Sequence, residues 1–381
     1  MKLRIAITRR AYITSLDGIN RFIFTLADGL SSLGHDVHVL SYSFRDISRS
    51  EIGAYVKSFF DSEGKVHTLT EIPEALIWPR IALTWFLKGS KLLNKLDLDA
   101  IIVNGIIPLR TEAVKIAVNH GHVDRSIFTG HIYKNIFTGK MPLQAYLQIA
   151  KYFYKHYTNV SVCLCSQLGR EFKKLIGSNS VIIPLPIKLH LFKSESLHQR
   201  DSLVVHLGTR PTKNIELSIR SIEATVRKLN VNAKLIVVGA KSAYVEKLKL
   251  KYKHLIPEYL AFMLNVGDST LRDLLAHARV LVLPSSHEAF PYSVLEAFAS
   301  GLPVVVSDAT PSELVSDGYN GFRVHGFDSS LYAARLASLL TNDVLWQTAS
   351  RNALRTASNY SHIKIAKDYE CIVRRFIETS R

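Results

Sequence analysis

Two glutamates, Glu288 and Glu296, bracket the stretch Ala289-Phe290-Pro291-Tyr292-Ser293-Val294-Leu295. Upstream, Leu281-Val282-Leu283 reads as a buried strand, and Pro284-Ser285-Ser286-His287 as a loop that delivers the first carboxylate. A helix is predicted to begin near Pro291, because proline suits a first turn, where its missing N–H is not needed. The N–H groups of Phe290, Tyr292 and Ser293 would then be available to an anion such as a diphosphate. Glu296 falls one to two turns further along. Eight residues of helical rise span about 12 Å, whereas the carboxyl pair of a glycosidase sits roughly 5–10 Å apart. The two glutamates therefore read as anchors on one elongated ligand and not as an acid–base couple. A nucleotide sugar is such a ligand, with a sugar at one end, a ribose at the other and phosphates between.

Loops of this kind need a scaffold. Apolar runs at Lys2–Thr8, Val37–Tyr42, Ala100–Val103, Lys115–Val118 and Val160–Cys165 alternate with helical patterns. One such pattern runs from Asp17-Gly18 through Leu33, where Gly34-His35-Asp36 stops it; another is the aromatic-rich Leu143–Tyr157. A second series has strands at Leu203–Leu207, Lys234–Val238, Val280–Leu283 and Pro303–Ser307, with helices after Lys213, Ala243, Thr270 and Pro291. Alternation of this type predicts parallel α/β sheets. Pro184-Leu185-Pro186 and the polar stretch Lys193–Asp201 read as a linker. The expected division is residues 1–187, residues 188–360 and a last helical segment over residues 361–381. Two doubly wound domains in tandem carry their binding loops at strand C-termini, around a shared cleft.

Composition narrows the classes. The 381 residues suffice for two cores, and no apolar run is long enough to cross a bilayer; the best attempt, Ala75–Leu87, is broken by Pro79 and Arg80. Met1-Lys2-Leu3-Arg4 does not open a signal peptide. Cys163, Cys165 and Cys371 suit a reduced compartment, which makes the cytoplasm the expected address. Cys163 and Cys165 read as small buried hydrophobes, since no further ligand cluster completes a metal site. The net charge of +16 favours an anionic partner. Ile77–Leu96 joins Trp78, Trp85 and Phe86 to Arg80, Lys88, Lys91 and Lys95, and Tyr133–Tyr157 is similar, a mixture suited to an anionic membrane surface. A packed amphipathic helix would have the same composition. No nucleic-acid module or compact basic run is present, so a nucleic-acid partner is not expected.

With these residues in view, the segment resembles the E-x7-E signature of retaining glycosyltransferases with the GT-B fold, of the family-four (group 1) type. Val282–Ser285 matches the strand before it, Glu296-Ala297-Phe298-Ala299-Ser300-Gly301-Leu302-Pro303-Val304-Val305 the helix and next strand, and Glu313 and Asn320-Gly321 continue the match. Earlier, Gly18, Leu33-Gly34-His35-Asp36-Val37, His120-Gly121 and Ser166 resemble the family's first domain, and the segment with Tyr360, Ile365 and Tyr369 its returning helix. The resemblance implies two Rossmann-like domains, the first on the acceptor side and the second binding a nucleotide sugar. It further implies an acceptor that is a lipid-linked saccharide, a phospholipid or a glycan; the composition and the basic, aromatic segments place the expected transfer in the cytoplasm or peripherally at the inner face of the cell membrane.

Residue by residue, the resemblance implies that Glu296 accepts from ribose hydroxyls and that Glu288 holds donor-sugar hydroxyls. Lys213 would neutralise the departing diphosphate, His120 would line the sugar from the first domain, and Asp17-Gly18 would approach the phosphate or acceptor. Family members usually retain anomeric configuration without a clear protein nucleophile, so no general base is assigned. No metal or other cofactor is expected. Asp97-Leu98-Asp99 looks like the D-x-D metal motif of a different transferase architecture, but it lies between a helix and a strand, where Asp is common in turns. The sequence departs from the family at Gly208, where an arginine is usual, which leaves Arg210 as a shifted cation; Leu185-Pro186 replaces an Asn-Gly, and Pro291 a Gly. An epimerase of the same fold and a basic nucleic-acid-binding protein are the competing functions.

Overall fold

The computed structural model describes residues 1–13, 18–44, 65–68, 83–105, 109–120 and 143–379. Two compact units emerge, Met1–Pro186 with His362–Arg381, and Ile187–Ser361.

The first unit contains β1 (Arg4–Ile13), α1 (Gly18–Ser32), β2 (Asp36–Phe44), β3 (Val66–Thr68), α2 (Ser90–Lys95), β4 (Ala100–Asn104), β5 (Val114–Asn119), α3 (Leu143–Tyr157), β6 (Val160–Cys163), α4 (Ser166–Ile176) and β7 (Val181–Ile182). The strands form one sheet in the order β3-β2-β1-β4-β5-β6-β7, paired parallel throughout. Central strands of such a sheet are covered on both faces, so they read as unbroken apolar runs; Ile5, Ala6, Ile7, Ile101 and Ile102 are fully buried. Phe22, Ile23, Leu26, Ala27 and Leu30 give α1 a buried stripe at helical spacing. The C-terminal helix, His362–Thr379, belongs to this unit and packs on α1. Gly29 is what lets the two helices approach, since a Cβ there would lie 2.5 Å from the His362 carbonyl oxygen. Two histidine–carboxylate contacts, His362 with Asp28 at 3.4 Å and His35 with Glu370 at 3.5 Å, lie along the same seam.

The second unit contains β8 (Leu203–Leu207), α5 (Ile215–Arg227), β9 (Lys234–Gly239), α6 (Ala243–Lys251), β10 (Leu260–Leu264), α7 (Asp268–His277), β11 (Val280–Leu283), α8 (Tyr292–Ala299), β12 (Val304–Ser307), β13 (Gly321–Val324), α9 (Ser329–Thr341) and α10 (Asp343–Ser358). The sheet order is β10-β9-β8-β11-β12-β13, again all parallel. Both sheets thus wind outward in two directions from a central pair, β1 and β4 in one and β8 and β11 in the other. Ligands of doubly wound sheets bind at the carboxyl ends of that pair.

Several expectations need correction. Lys193–Asp201 is not a free linker: it carries a 3-10 turn, Leu197–Gln199, and ends on buried Arg200. The Arg200 guanidinium donates to the carbonyls of Leu275, Ala278 and Ser300 and lies over Trp346, and burial pulls its pKa down to about 10. The strand expected over Val160–Cys165 ends at Cys163, and Cys165 caps α4 instead. Pro291 is the extended N-cap of α8 and not its first helical residue. Asp97 sits in a left-handed turn, and the Asp99 carboxylate accepts the Arg4 backbone N–H at 2.7 Å, a structural use of that acidic pair.

Candidate functional site

The loops after β8 and β11 meet at the carboxyl edge of the second sheet. The β8 loop turns at Gly208, whose φ of +102° few other residues adopt. It then forms a 3-10 turn over Pro211–Lys213, and Asn214, left-handed at φ 55°, starts α5. From the β11 loop, the Ser286 N–H donates to the Thr212 carbonyl at 2.9 Å, which ties the loops together. Their side chains also meet: Lys213 Nζ lies 2.5 Å from Glu288 Oε1, and both side chains are largely buried, at 18% and 8% exposure. Two residues separated by 75 positions are thereby brought into one ion pair. A charge pair withdrawn from water is costly unless well matched, and removing one member leaves the other stranded.

Gly208 explains how the lysine reaches this place. A Cβ on Gly208 would meet Lys213 Cγ at 3.2 Å and Cε at 3.3 Å, so the lysine stem lies against the glycine. The space where an arginine was expected is the bed of Lys213. Below it, His206 is fully buried on β8. Its Nε2 contacts the Gly208 carbonyl at 3.1 Å and its Nδ1 the Ser218 hydroxyl at 2.8 Å. A carbonyl only accepts, so Nε2 carries the hydrogen and Nδ1 takes the hydroxyl hydrogen. Burial pushes the His206 pKa down to about 3, with the Lys213 charge adding to the effect. The imidazole is a neutral brace under the loop. Sequence reading missed it, although a histidine inside the apolar run Leu203-Val204-Val205-His206-Leu207 was the available signal.

The remaining residues of this unit fall nearby in the chain. Arg210 is exposed, extended before the 3-10 turn, and its guanidinium takes no partner among the described residues. Phe290 is buried with its ring edge-on to Tyr360 at 5.4 Å, and the Tyr360 hydroxyl donates to the Glu313 carbonyl at 3.0 Å. Burial pushes the Tyr360 hydroxyl up to about 12. Tyr292 and Ser293 open α8, and the Pro291 carbonyl accepts from Val294 and Leu295. That pattern leaves the first two N–H groups of the helix outside its own ladder. The Ser293 Oγ is buried without a hydrogen-bond partner among the described residues. Glu296 is in the second turn, only 5% exposed. Asn320 is structural: its amide bonds the Leu314 carbonyl, the Ser316 N–H and Thr356. Gly321 permits close strand approach, because a Cβ would lie 2.3 Å from the Val304 carbonyl oxygen.

In the first unit, Gly18 is the first residue of α1, and Asp17, Trp78, Arg80, Gly121 and His122 lie outside the described residues. His120 directly follows β5. Its Nε2 is 2.6 Å from Asn104 Oδ1, and its ring stands edge-on to Phe22 at 4.7 Å. Burial, with Arg9 adding to it, pushes the His120 pKa down to about 3. Among the described residues no cluster of His, Cys, Asp and Glu is arranged to hold a metal ion.

Residues 16–191 match the family described as Glycosyltransferase Family 4, and residues 190–358 the one described as Glycosyl transferases group 1. Over 111 residues, 29% of this chain, it is 33% identical to the N,N'-diacetylbacillosaminyl-diphospho-undecaprenol alpha-1,3-N-acetylgalactosaminyltransferase of Campylobacter jejuni, 30% of which is covered. Over 169 residues, 42% of this chain, it is 32% identical to the D-inositol 3-phosphate glycosyltransferase of Streptomyces avermitilis, 36% of which is covered. The chain thus spans about a third of the length of these curated relatives. The crystal structure of Anabaena HepE in complex with UDP and glucose is similar at a TM-score of 0.74 and 16% identity, over 98% of this chain and 100% of that one. That likeness carries the fold, GT-B.

Proposed function

This chain belongs to the group 1, or family-four, glycosyltransferases, and from that premise we propose that it moves a sugar from a nucleoside diphosphate sugar to an acceptor hydroxyl. The observation that carries the reading is the Lys213–Glu288 pair beside the start of α8, at the carboxyl ends of β8 and β11. Lys213 supplies positive charge where the diphosphate acquires negative charge as it leaves, stabilisation aimed at the transition state. Glu288 holds that ammonium in place before the donor arrives, and then shares its oxygens with donor-sugar hydroxyls. The amides of Phe290, Tyr292 and Ser293 line the phosphate position, with Arg210 as an outer cation. Glu296 accepts from the ribose hydroxyls, charged hydrogen bonds worth roughly 1.5–3 kcal/mol. We assign His120 a role toward a hydroxyl of the sugar or the acceptor, as the resemblance implies.

The bond from the anomeric carbon to the phosphate oxygen breaks, the acceptor oxygen bonds to that carbon, and the acceptor proton passes to the leaving phosphate. The anomeric configuration is retained and no metal takes part, a reading supported by the E-x7-E resemblance and by Lys213 as the phosphate's cation. Both relatives' names carry a phosphorylated acceptor, and a chain of net charge +16 suits an anionic one. A phosphorylated acceptor, such as a lipid-linked saccharide or a phospholipid headgroup, is therefore the proposed class. The test is a thermal-shift screen of nucleoside diphosphate sugars on the wild type and on Glu296→Ala. One donor should stabilise the wild type and fail to stabilise the variant; stabilisation by none contradicts the reading. An acceptor-independent change of the sugar would instead favour an epimerase.

A second site concerns the membrane. Trp85 is fully buried in the core and so cannot meet a membrane as the sequence suggested, but Leu83 and Leu87, each 57% exposed, precede exposed Lys88, Lys91 and Lys95 along one helical segment of the first unit. Apolar and basic side chains together support peripheral attachment to an anionic bilayer at the cytoplasmic face. Flotation with anionic vesicles should carry the chain upward, and Leu87→Asp with Lys91→Glu should leave it at the bottom; a wild type that does not float refutes the attachment.

A further inference from the structure

Asn104 ends β4 and is 6% exposed. Its Nδ2 donates to the Thr8 carbonyl oxygen at 2.7 Å. Because that carbonyl can only accept, the atom facing it must be the amide nitrogen, and the opposite atom must be Oδ1. Oδ1 in turn faces His120 Nε2 at 2.6 Å. An amide oxygen donates nothing, so Nε2 carries the hydrogen. The chain of donors runs in one direction, from His120 through Asn104 to the β1 backbone. The other ring nitrogen, Nδ1, is then a bare lone pair, and it takes no partner among the described residues.

We propose that Asn104 is a positioning residue, which fixes His120 as the Nε2–H tautomer and reserves Nδ1 as a hydrogen-bond acceptor for a ligand hydroxyl. Phe22 of α1, itself fully buried, holds the ring from the side. Among the described residues the charged group that acts on the imidazole is Arg9 of β1, and Asn104 and Phe22 are neutral. A positive neighbour and the desolvation of the half-buried ring both oppose the imidazolium. His120 therefore accepts a hydroxyl hydrogen bond and neither donates at Nδ1 nor acts as an acid. The acceptor role at a sugar or acceptor hydroxyl rests on the proposed transfer; the tautomer rests on the hydrogen-bond directions alone.

The experiment has two readouts on the full chain. First, imidazole nitrogen NMR of the 15N-histidine-labelled wild type, assigned with His120→Gln, should show His120 as Nε2–H with unchanged shifts between about pH 5 and pH 8. An Nδ1–H pattern, or titration near the ordinary histidine value, overturns the proposal without any variant having to fold. Second, Asn104→Asp places a carboxylate against Nε2–H and should raise the His120 pKa. Below that raised pKa, Nδ1 gains a proton and stops accepting. Turnover with the preferred donor should then fall about three- to tenfold and decline further on acidification. A pH profile parallel to that of the wild type contradicts the assignment. A locked tautomer in a chain that transfers no sugar contradicts the proposed function instead, so the two failures are told apart.

Discussion

Each sheet places a histidine whose charged form is disfavoured near its central strand pair, His206 fully buried and His120 half-buried, and the two are used differently. His206 in the second unit has both ring nitrogens occupied, by Ser218 and by the Gly208 carbonyl. His120 in the first unit has one among the described residues, at Asn104. Both are held near a pKa of about 3, chiefly by burial. A fully bonded imidazole can only brace, and His206 braces the loop that carries Lys213. An imidazole with one nitrogen committed still has a directed acceptor to offer. The same contrast holds for charge. The second unit's edge carries the Lys213–Glu288 ion pair, whereas the described groups in direct contact with His120 are the neutral Asn104 amide and the Phe22 ring, with the Arg9 charge acting on it from β1. In the proposed transfer, neutralising phosphate belongs to the former and orienting a hydroxyl to the latter.

That division of labour can be broken by substitution. Lys213→Ala should lower turnover about 10²- to 10³-fold, the cost of removing one charged stabiliser from a transition state. His120→Ala should lower it only about two- to tenfold, the worth of one neutral hydrogen bond. Steady-state rates at saturating donor decide the matter, and equal losses would erase the distinction. Gly208→Ala tests the bed of the lysine: a Cβ forced into a positive-φ position should cost about 1–3 kcal/mol, read as a lower Tm. It should also displace Lys213 and weaken turnover. No loss of stability would mean that the turn is more adaptable than its geometry implies.

The pH dependence sharpens the role of His206. Its folded pKa lies below the ordinary value, so in the acid range the unfolded chain binds the extra proton. The stability it contributes is fully present above about pH 6.5 and is lost as pH falls toward about 3, at up to about 1.4 kcal/mol per pH unit. Hydrogen exchange of the Leu203–Leu207 amides between about pH 6.5 and pH 4, corrected for intrinsic rates, should show that decline, and His206→Gln should flatten it. The smallest effect expected is none at all: with Lys213 as the phosphate's cation, EDTA should leave the transfer rate unchanged, and a rate restored only by a divalent cation would refute that part.

How far the sequence alone reaches follows from the range of each signal. Strands such as Leu203–Leu207 and Val280–Leu283, and the helix Leu143–Tyr157, are set by local apolar patterning, and they stand where that patterning puts them. The edge strands Val66–Thr68, Val181–Ile182 and Leu260–Leu264 and the strand Gly321–Val324 were missed, being short or bounded by weak turn signals, and so were α9 and α10. Lys193–Asp201 looked like a linker because its composition is polar, but Arg200 is satisfied by carbonyls from 75 to 100 residues away. The same limit applies at the site. Glu288, Glu296 and Lys213 are singled out by their motif, and the Gly208 bed lies in the same loop as Lys213, while the ion pair and the Asn104–His120 bond depend on strands assembled from separate stretches of sequence. Their only local trace is a polar residue in or at the end of an apolar run, His206 in one case and Asn104 in the other.

The central claim is transfer driven by the charged edge of the second unit. Its most direct test is release of nucleoside diphosphate from a panel of sugar donors, with vesicles containing polyprenyl diphosphate-linked saccharide or phosphatidylinositol as acceptor. The account predicts acceptor-dependent release by the wild type from one donor class and its near-complete loss in Lys213→Ala. Release that needs no acceptor, or that survives in Lys213→Ala at the wild-type rate, would contradict it.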